Sequence, residues 1–278
     1  MYLVTGATAH FGRQAVEALL AAGYPVRALT RDPSRAGLPE GVELAQADLT
    51  KPETLPAALA GVRGILLVLQ YGMDPAPLLA AARESGVGRI VFLSSGAVVD
   101  GVEVQPDVIA QYHADVERAV QESGLEWTVL RLLFPAINSL TFAMQLAGGD
   151  VIRAPYTKAA FSAIHELDVA DVAVATLTGD GHAGQTYSLT GPESLTQADQ
   201  VQILGQALDR PLTVEDLDPE PVLEQMSAFM DPAFIGALFG LMAATVGKPA
   251  EVNDTVERIT GHKPRTYAQW ATDHAKDF

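Results

Sequence analysis

The first residues with a chemical pattern form a glycine-rich turn, VTGATAHFG, at positions 4–12. The apolar run Tyr2–Thr5 predicts a strand before the turn, and Phe11–Ala22 predicts a helix after it. In that setting Gly6 allows a tight turn, and Gly12 allows the helix to pack close to the strand. The free amides of the helix N-terminus then attract a diphosphate.

The turn therefore predicts a dinucleotide site, although a purely structural strand-to-helix turn is an alternative. The middle glycine of the usual pattern is Ala9 here, and its Cβ narrows the approach without closing it. The predicted cofactor contacts in this segment are Gly6, Thr8, Ala9, His10, Phe11 and Gly12.

The segment ALTRDPSR, at positions 28–35, bears on the choice of cofactor. Proteins that prefer NAD place an acidic residue at the end of the second strand, where this chain has Thr30. Arg31 follows it, and Arg35 lies one turn further on, so a guanidinium is available for a 2′-phosphate. We predict NADPH, with NADH possible. Alternatively, Asp32 pairs with one of these arginines on the surface.

Apolar strand patterns alternate with helical patterns through the first half of the chain. Continuous Val/Ile/Leu runs separated by helices predict a parallel sheet covered on both faces. The expected fold class is α/β, a doubly wound parallel sheet (Rossmann fold) with a smaller, mostly helical C-terminal substrate region. We predict a dinucleotide-binding domain over 1–131, partial return of 132–190 to that domain, and a substrate-binding region over 191–278.

Two short-range patterns predict helix starts in the second half of the chain. Asp168 with Asp171, and Thr196 with Asp199, each resemble a capping box. Thr266–Phe278 is predicted to close the chain as a helix.

Composition argues against several classes of partner. The chain of 278 residues carries 34 acidic and 18 basic residues, a net charge of −16. Such a surface repels nucleic-acid phosphates and anionic lipid, so we expect neither nucleic-acid nor membrane partners. The chain lacks cysteine, which excludes disulfides and thiolate chemistry. No leader pattern precedes the first strand, so we expect a cytoplasmic protein. We also expect a monomer or homodimer.

We expect no metal site from the histidine pattern. Four histidines lack the spacing of metal ligands and are predicted at the surface, namely His165, His182, His262 and His274.

Several segments together resemble the atypical short-chain dehydrogenase/reductase group of the NmrA-like type. They are Thr5–Gly12, RDP at 31–33, ADL at 47–49, SGLEWTVLR at 123–131 and GPESLT at 191–196. The resemblance implies that Asp48 and Leu49 flank the adenine and that Leu69 and Gln70 line the cofactor. It also places the segment 133–135, with Phe134, near the nicotinamide.

The chain departs from the larger superfamily at its Ser-Tyr-Lys triad. Tyr and Lys must stand four residues apart on a helix, and no such pair occurs in this chain. Ile109 aligns with the Tyr position and His113 with the Lys position, while Ser95 stands beside Gly96 at the serine position. Tyr112 precedes His113 directly, so its side chain points about 100° away from that of His113 around the helix. His113 and Ser95 remain as catalytic candidates, and His113 could also bind the cofactor ribose.

Phe and Met residues recur over 219–246 and suit a flat apolar ligand, although an ordinary helical core is the alternative. The predicted substrate contacts are Tyr71, Ser95, Phe134, Asn138, Met226, Phe229 and Met230. We predict an NADPH-dependent reductase that transfers hydride to a carbonyl of an aromatic substrate, such as an aromatic polyketide in antibiotic biosynthesis. A quinone reductase and a non-enzymatic NAD(P)-binding redox sensor are the alternatives.

Overall fold

A seven-stranded, all-parallel sheet forms the centre of the computed structural model, which describes residues 1–278. The strands of the chain are β1 (Tyr2–Val4), β2 (Val26–Thr30), β3 (Glu43–Gln46), β4 (Gly64–Leu67), β5 (Arg89–Ser95), β6 (Glu126–Leu132), β7 (Val151–Pro155), β8 (Ala160–Phe161), β9 (Gln185–Leu189), β10 (Leu195–Thr196) and β11 (Thr213–Leu217). The order in the main sheet is β3-β2-β1-β4-β5-β6-β9. This order reverses direction between β1 and β4, where doubly wound folds open a crevice for ligands.

Eleven α-helices cover the sheet and build the C-terminal part. They are α1 (His10–Ala21), α2 (Leu55–Leu59), α3 (Ala76–Glu84), α4 (Val108–Glu122), α5 (Ala143–Leu146), α6 (Glu166–Thr178), α7 (Gln197–Ala207), α8 (Pro219–Ser227), α9 (Pro232–Ala244), α10 (Thr255–Thr260) and α11 (Tyr267–Asp273). Short 3₁₀ segments occupy Pro33–Arg35, Pro52–Thr54, Ala136–Phe142 and Ala275–Asp277. The helix predicted to close the chain is therefore interrupted after Asp273.

Both faces of the sheet are buried, which explains the continuous apolar strands. Val16 and Leu19 of α1 pack with Val172 of α6 on one face. Leu55 and Leu78, from α2 and α3, pack on the other face together with residues of α4. The predicted fold class is confirmed, and the chain after β9 is mostly helical.

The start of α6 differs from the prediction. The helix begins at Glu166, and His165 caps it by accepting a hydrogen bond from the Leu167 amide at 3.2 Å. Asp168 is not a cap because its carboxylate binds Arg265, 97 residues further along the chain. The capping box of Thr196 with Asp199 is confirmed at the start of α7.

The expectation that four histidines lie at the surface is wrong for His165, whose side chain is 2% exposed, and for His274, at 18%. Carboxylates contact both side chains. The Nε2 atom of His165 lies 3.3 Å from Asp273, and His274 binds both Glu166 and Asp277. Sequence spacing cannot show these contacts, because Glu166 and His274 are 108 residues apart.

The C-terminal part of the chain packs against α1. Tyr267 and Trp270 of α11 are buried in a cluster that also contacts Phe11, in the first turn of α1. The Tyr267 hydroxyl donates to Ser139 at 2.8 Å, which fixes the segment after β6. None of the helices combines the length and apolar character needed to cross a membrane.

Candidate cofactor and active site

The glycine-rich turn has the geometry of an anion cradle. Gly6 has a φ of +59°, a conformation that favours glycine. A Cβ on Gly12 would lie 2.3 Å from the Gly6 carbonyl oxygen, so only glycine fits this contact. Ala9 precedes α1 without a side-chain cap, and the first turn has no acidic residue. The amides at the start of α1 are therefore free to bind a diphosphate.

An open cleft of about 800 Å³ runs along the carboxyl ends of β1 to β4. The predicted cofactor residues that line it are Gly6, Thr8, Ala9, Arg31, Arg35, Asp48, Leu49, Leu69 and Gln70. Other lining residues were not among the predicted contacts; they include Thr30, Thr50, Val68 and Met73. All of these lie at or just after strand ends, or in the loop after β4, which is the pattern that could have identified them.

Three of the predicted contacts in the turn shape the cradle without lining this cleft. Gly12 is buried, and Phe11 is half-buried toward the C-terminal cluster. His10 is exposed as the first residue of α1. Within the turn, the cleft is thus lined by Gly6, Thr8 and Ala9.

Arg31 and Arg35 are exposed cations without an ion-pair partner in the structure. The alternative pairing with Asp32 is not observed; the Oδ1 atom of that carboxylate instead accepts hydrogen bonds from the Ser34 amide (3.1 Å) and hydroxyl (2.6 Å). Two unpaired guanidiniums therefore line the cleft at the end of β2, where a 2′-phosphate would lie.

Asp48 is fixed by its own loop at the far end of the cleft. Its Oδ1 accepts from the Thr50 amide at 3.0 Å and from the Thr50 hydroxyl at 2.8 Å. These bonds lower the pKa of the Asp48 carboxyl, so it stays ionised. Leu49 lies beside it and supplies an apolar wall for a flat ring.

The two catalytic candidates lie near the carboxyl end of β5. Ser95 is buried, and its Oγ accepts a hydrogen bond from the Ala97 amide at 3.1 Å. The Nδ1 atom of His113 donates to the Ile109 carbonyl at 2.8 Å, and its ring stacks near Phe92. Burial lowers the pKa of His113, so the ring is neutral at pH 7 and its Nε2 carries a lone pair.

No acid side chain occupies the position where the superfamily places its tyrosine. Ile109 is 7% exposed and packs in an apolar cluster with Ala97 and Ala237 of α9. The Tyr112 hydroxyl points elsewhere, to the carbonyls of Gln70 (3.1 Å) and Met73 (2.9 Å). Tyr112 therefore fixes the loop after β4, and burial raises its pKa.

Phe134 holds a strained backbone conformation at the end of β6. Its φ is +50°, which is uncommon for a residue with a Cβ. Its ring lies 4.2 Å from that of Phe161, and both line a smaller cavity of about 200 Å³ together with Gly96. Asn138 follows in a 3₁₀ turn, with its side chain exposed.

The remaining predicted substrate residues divide into two groups, one in the loop after β4 and one in the C-terminal part. Tyr71 is 42% exposed and lies 4.9 Å, between ring centroids, from both Tyr112 and Phe234. Phe234, which belongs to α9, was not among the predicted contacts. Phe229 is 85% exposed and Met230 is 45% exposed where α8 turns into α9, while Met226 is half-buried.

A cluster of two aspartates and a histidine has the spacing of a cation site, but an arginine already bridges the two carboxylates. Ligand atoms of Asp168, Asp171 and His262 lie within 4.8 Å of one another. The Arg265 guanidinium binds Asp168 and lies 2.9 Å from Asp171. The arrangement attaches the segment before α11 to α6.

Comparison with known proteins gives a consistent result. The profile of a family described as NAD(P)H-binding matches residues 6–180. A "(4-alkanoyl-5-oxo-2,5-dihydrofuran-3-yl)methyl phosphate reductase" of Streptomyces griseus subsp. griseus is 36% identical, over 100% of this chain and 99% of that protein. An NAD(P)H azoreductase of Xenophilus azovorans is 34% identical with the same coverage of both chains. An NADPH-dependent quinone oxidoreductase of Escherichia coli, solved with NADPH, has a TM-score of 0.82 at 24% identity over 98% of this chain and 99% of that one.

Proposed function

The chain belongs to the NAD(P)H-binding family, as an atypical, NmrA-like short-chain dehydrogenase/reductase, and we propose that it reduces electron-poor conjugated acceptors with NADPH. It is an NAD(P)H-dependent oxidoreductase, and the predicted family and the binding of a nicotinamide cofactor are confirmed. The preference for NADPH over NADH is part of the proposal, as is the acceptor. An aromatic ketone, as predicted from the sequence, is one member of this class, and a quinone is another.

The observation that carries the proposal is the apolar Ile109 where a proton donor would be needed. General acid catalysis requires a donor within hydrogen-bond reach of the oxygen that gains charge. Ile109 is apolar, His113 is neutral, and Tyr112 faces the loop after β4. Acceptors that spread the incoming charge over a conjugated system do not need such an acid.

When bound, the nicotinamide cofactor would supply the hydride, with its electron pair, and water would supply the proton that completes the reduction. The α1 amides would hold the diphosphate, while Arg31 and Arg35 would bind the 2′-phosphate. His113 would accept a hydrogen bond from the nicotinamide ribose through Nε2. Tyr71 and Phe234 would cover the flat acceptor and hold it at contact distance, which is where most of the rate enhancement would come from.

The relatives support the acceptor class through their names alone. One name describes an alkanoyl-oxo-dihydrofuran, the second an azo group, and the solved structure a quinone. Each of these groups takes up hydride into a conjugated system. We infer the same chemistry for this chain, without inferring any of those three substrates.

The experiment is a panel of acceptors followed by NADPH absorbance. We expect NADPH to be oxidised in the presence of quinones, azo compounds and conjugated enones. Aromatic ketones are expected to react when a neighbouring phenolic hydroxyl polarises the carbonyl, and to fail when that hydroxyl is methylated. If simple ketones react as fast as conjugated ones, the proposal is wrong. Tight NADPH binding without any turnover would favour the redox sensor instead.

The remaining predictions extend this proposal. A cytoplasmic location is supported by the need for reduced cofactor. The division at 131 and 190, a monomeric or homodimeric state, and a small aromatic substrate without nucleic-acid or membrane partners remain predictions.

A further inference from the structure

Three aspartates lie at helix starts in the segments around Tyr71. Asp74, two residues before α3 begins, accepts a 2.9 Å bond from the Ala76 amide. Asp107 caps α4 by accepting bonds of 2.9 and 2.8 Å, and Asp231 caps α9 by accepting a bond of 2.8 Å. Each aspartate adds a negative charge as well as a hydrogen-bond acceptor.

Contacts of Tyr71 place Asp107 and Asp231 at one rim, and Asp74 follows Tyr71 by three residues and acts on the neighbouring Tyr112. The Tyr71 hydroxyl donates to the carbonyl of Val108, the residue after Asp107, at 3.2 Å. Its ring contacts Phe234, in the first turn of α9. Burial, followed by the charges of Asp231 and Asp107, raises the pKa of Tyr71, in agreement with this proximity.

The segments that build the rim contain no compensating cation. Residues 64–82, 90–117 and 211–247 include no lysine or arginine. The guanidinium of Arg131, which lines the neighbouring cavity, is held by Glu117 at 2.7 Å and by Asp100 at 2.8 Å. That group therefore has one more negative charge than positive.

The rim also carries aromatic surface. Tyr71 and Phe234 form an edge-to-face pair, and the Tyr71 side chain is 42% exposed. Phe234 packs against the cluster that contains Ile109 and Ala97, two apolar residues that come after β5 in the chain. An acceptor that enters between these residues would contact aromatic surface and lie close to the aspartates.

We propose that Asp74, Asp107 and Asp231 make the active site selective for uncharged and cationic acceptors, and against phosphorylated or sulfonated ones. This inference rests on the proposed function and adds the charge of the substrate to it. It predicts a difference from the Streptomyces relative, whose name describes a phosphate ester. Anions are repelled by the three carboxylates and by the phosphates of the bound cofactor.

The test uses one naphthoquinone scaffold in three forms: unsubstituted, sulfonated and trimethylammonium-substituted. At low ionic strength we expect kcat/KM for the sulfonated form to fall on the order of tenfold below that of the uncharged form, from three charges near the rim. The difference should shrink when salt shortens the Debye length to about 10 Å or less.

The variant that isolates charge from folding is the triple substitution Asp74→Asn, Asp107→Asn and Asp231→Asn. Asparagine caps helices about as well as aspartate, so the helices are retained while the charges are removed. The ratio of kcat/KM for the sulfonated form to that for the uncharged form should rise about tenfold. Asp218→Asn, the same change at the cap of α8, should leave that ratio as it is.

Calorimetric binding of the three compounds to the NADP⁺-loaded protein separates this inference from the proposed function. Charge-selective binding without turnover would support the inference and refute the proposed reductase. An unchanged ratio in the triple variant, or equal kcat/KM and equal binding for sulfonated and uncharged forms, would overturn the inference while leaving the reductase intact.

Discussion

Replacing Arg31 with alanine is expected to weaken NADPH binding about tenfold and to leave NADH binding nearly unchanged. Arg31 is exposed and has no carboxylate partner in the structure, and the Oδ1 atom of the adjacent Asp32 binds Ser34 instead. Its guanidinium is therefore available to a 2′-phosphate without first breaking an ion pair. NADH lacks that phosphate, so it loses only the weak long-range attraction between Arg31 and its diphosphate.

The size of the effect follows from the exposure of the site. A hydrogen bond to a charged group contributes about 1.5–3 kcal/mol, and water access places Arg31 near the lower end. A loss of about 1.4 kcal/mol is a tenfold change in Kd. Arg35 lines the same cleft and would keep part of the interaction, so the double variant with Arg35→Ala should bind NADPH no more tightly than NADH.

The measurement is calorimetric titration of each variant with both cofactors at fixed salt. Arg83→Ala is the matched control, since Arg83 is an exposed arginine on α3 without an ion pair and outside the cleft. It removes the same charge from the protein but should change neither Kd. Equal losses for NADPH and NADH in Arg31→Ala would refute the 2′-phosphate assignment and reduce Arg31 to a general contributor of positive charge.

Three further predictions concern the turn, the loop after β4 and the C-terminal histidine. Gly12→Ala should abolish cofactor binding and lower the free energy of unfolding by about 2–3 kcal/mol, because the new Cβ meets backbone at 2.3 Å. Gly236→Ala, where nothing lies within 4 Å of the new Cβ, should instead stabilise α9 slightly. Equal melting temperatures for these two variants would contradict the prediction. Tyr112→Phe should lower kcat less than tenfold, since the hydroxyl faces loop carbonyls, whereas a loss above a hundredfold would identify Tyr112 as the acid. Burial opposes the charge on His274, but the Asp277 and Glu166 carboxylates outweigh it and raise its pKa. A pKa raised in the folded state stabilises the protein fully below the unfolded value of about 6.5, and this stability is lost as pH rises through the folded pKa. The unfolding free energy of the wild type relative to His274→Gln should therefore fall from pH 6 to pH 8, and a constant difference would refute the assignment.

The main sheet could be predicted because its pattern is local. Buried parallel strands are apolar at every position, as in Gly64–Leu67, and they alternate with helices of recognisable period. The cradle could be predicted for the same reason, since Gly6 and Gly12 act within one turn. Ser34, the partner of Asp32 in the structure, lies only two residues away, yet the sequence analysis considered only the arginines as partners of that carboxylate.

Long-range partners set the limits of prediction. His165 is a helix cap in a carboxylate network, and Arg265 removes Asp168 from the role that its spacing suggests. These contacts join residues about a hundred positions apart. In α9, the apolar residues occur on nearly every side of the helix, so their spacing does not identify the buried face. Only the structure shows that Phe234 contacts Tyr71.

The last strand of the sheet determines where this protein can be divided. The family profile ends at residue 180, but β9 pairs with the full run Thr128–Leu132 of β6 from residues 185–189. A fragment cut at the profile boundary would leave Val129 and Leu130, now fully buried, beside an open row of backbone donors and acceptors. Such an edge recruits strands from other molecules. Fusions, truncations and domain grafts built on this chain must therefore extend through Leu189, or they will assemble with one another instead of folding alone.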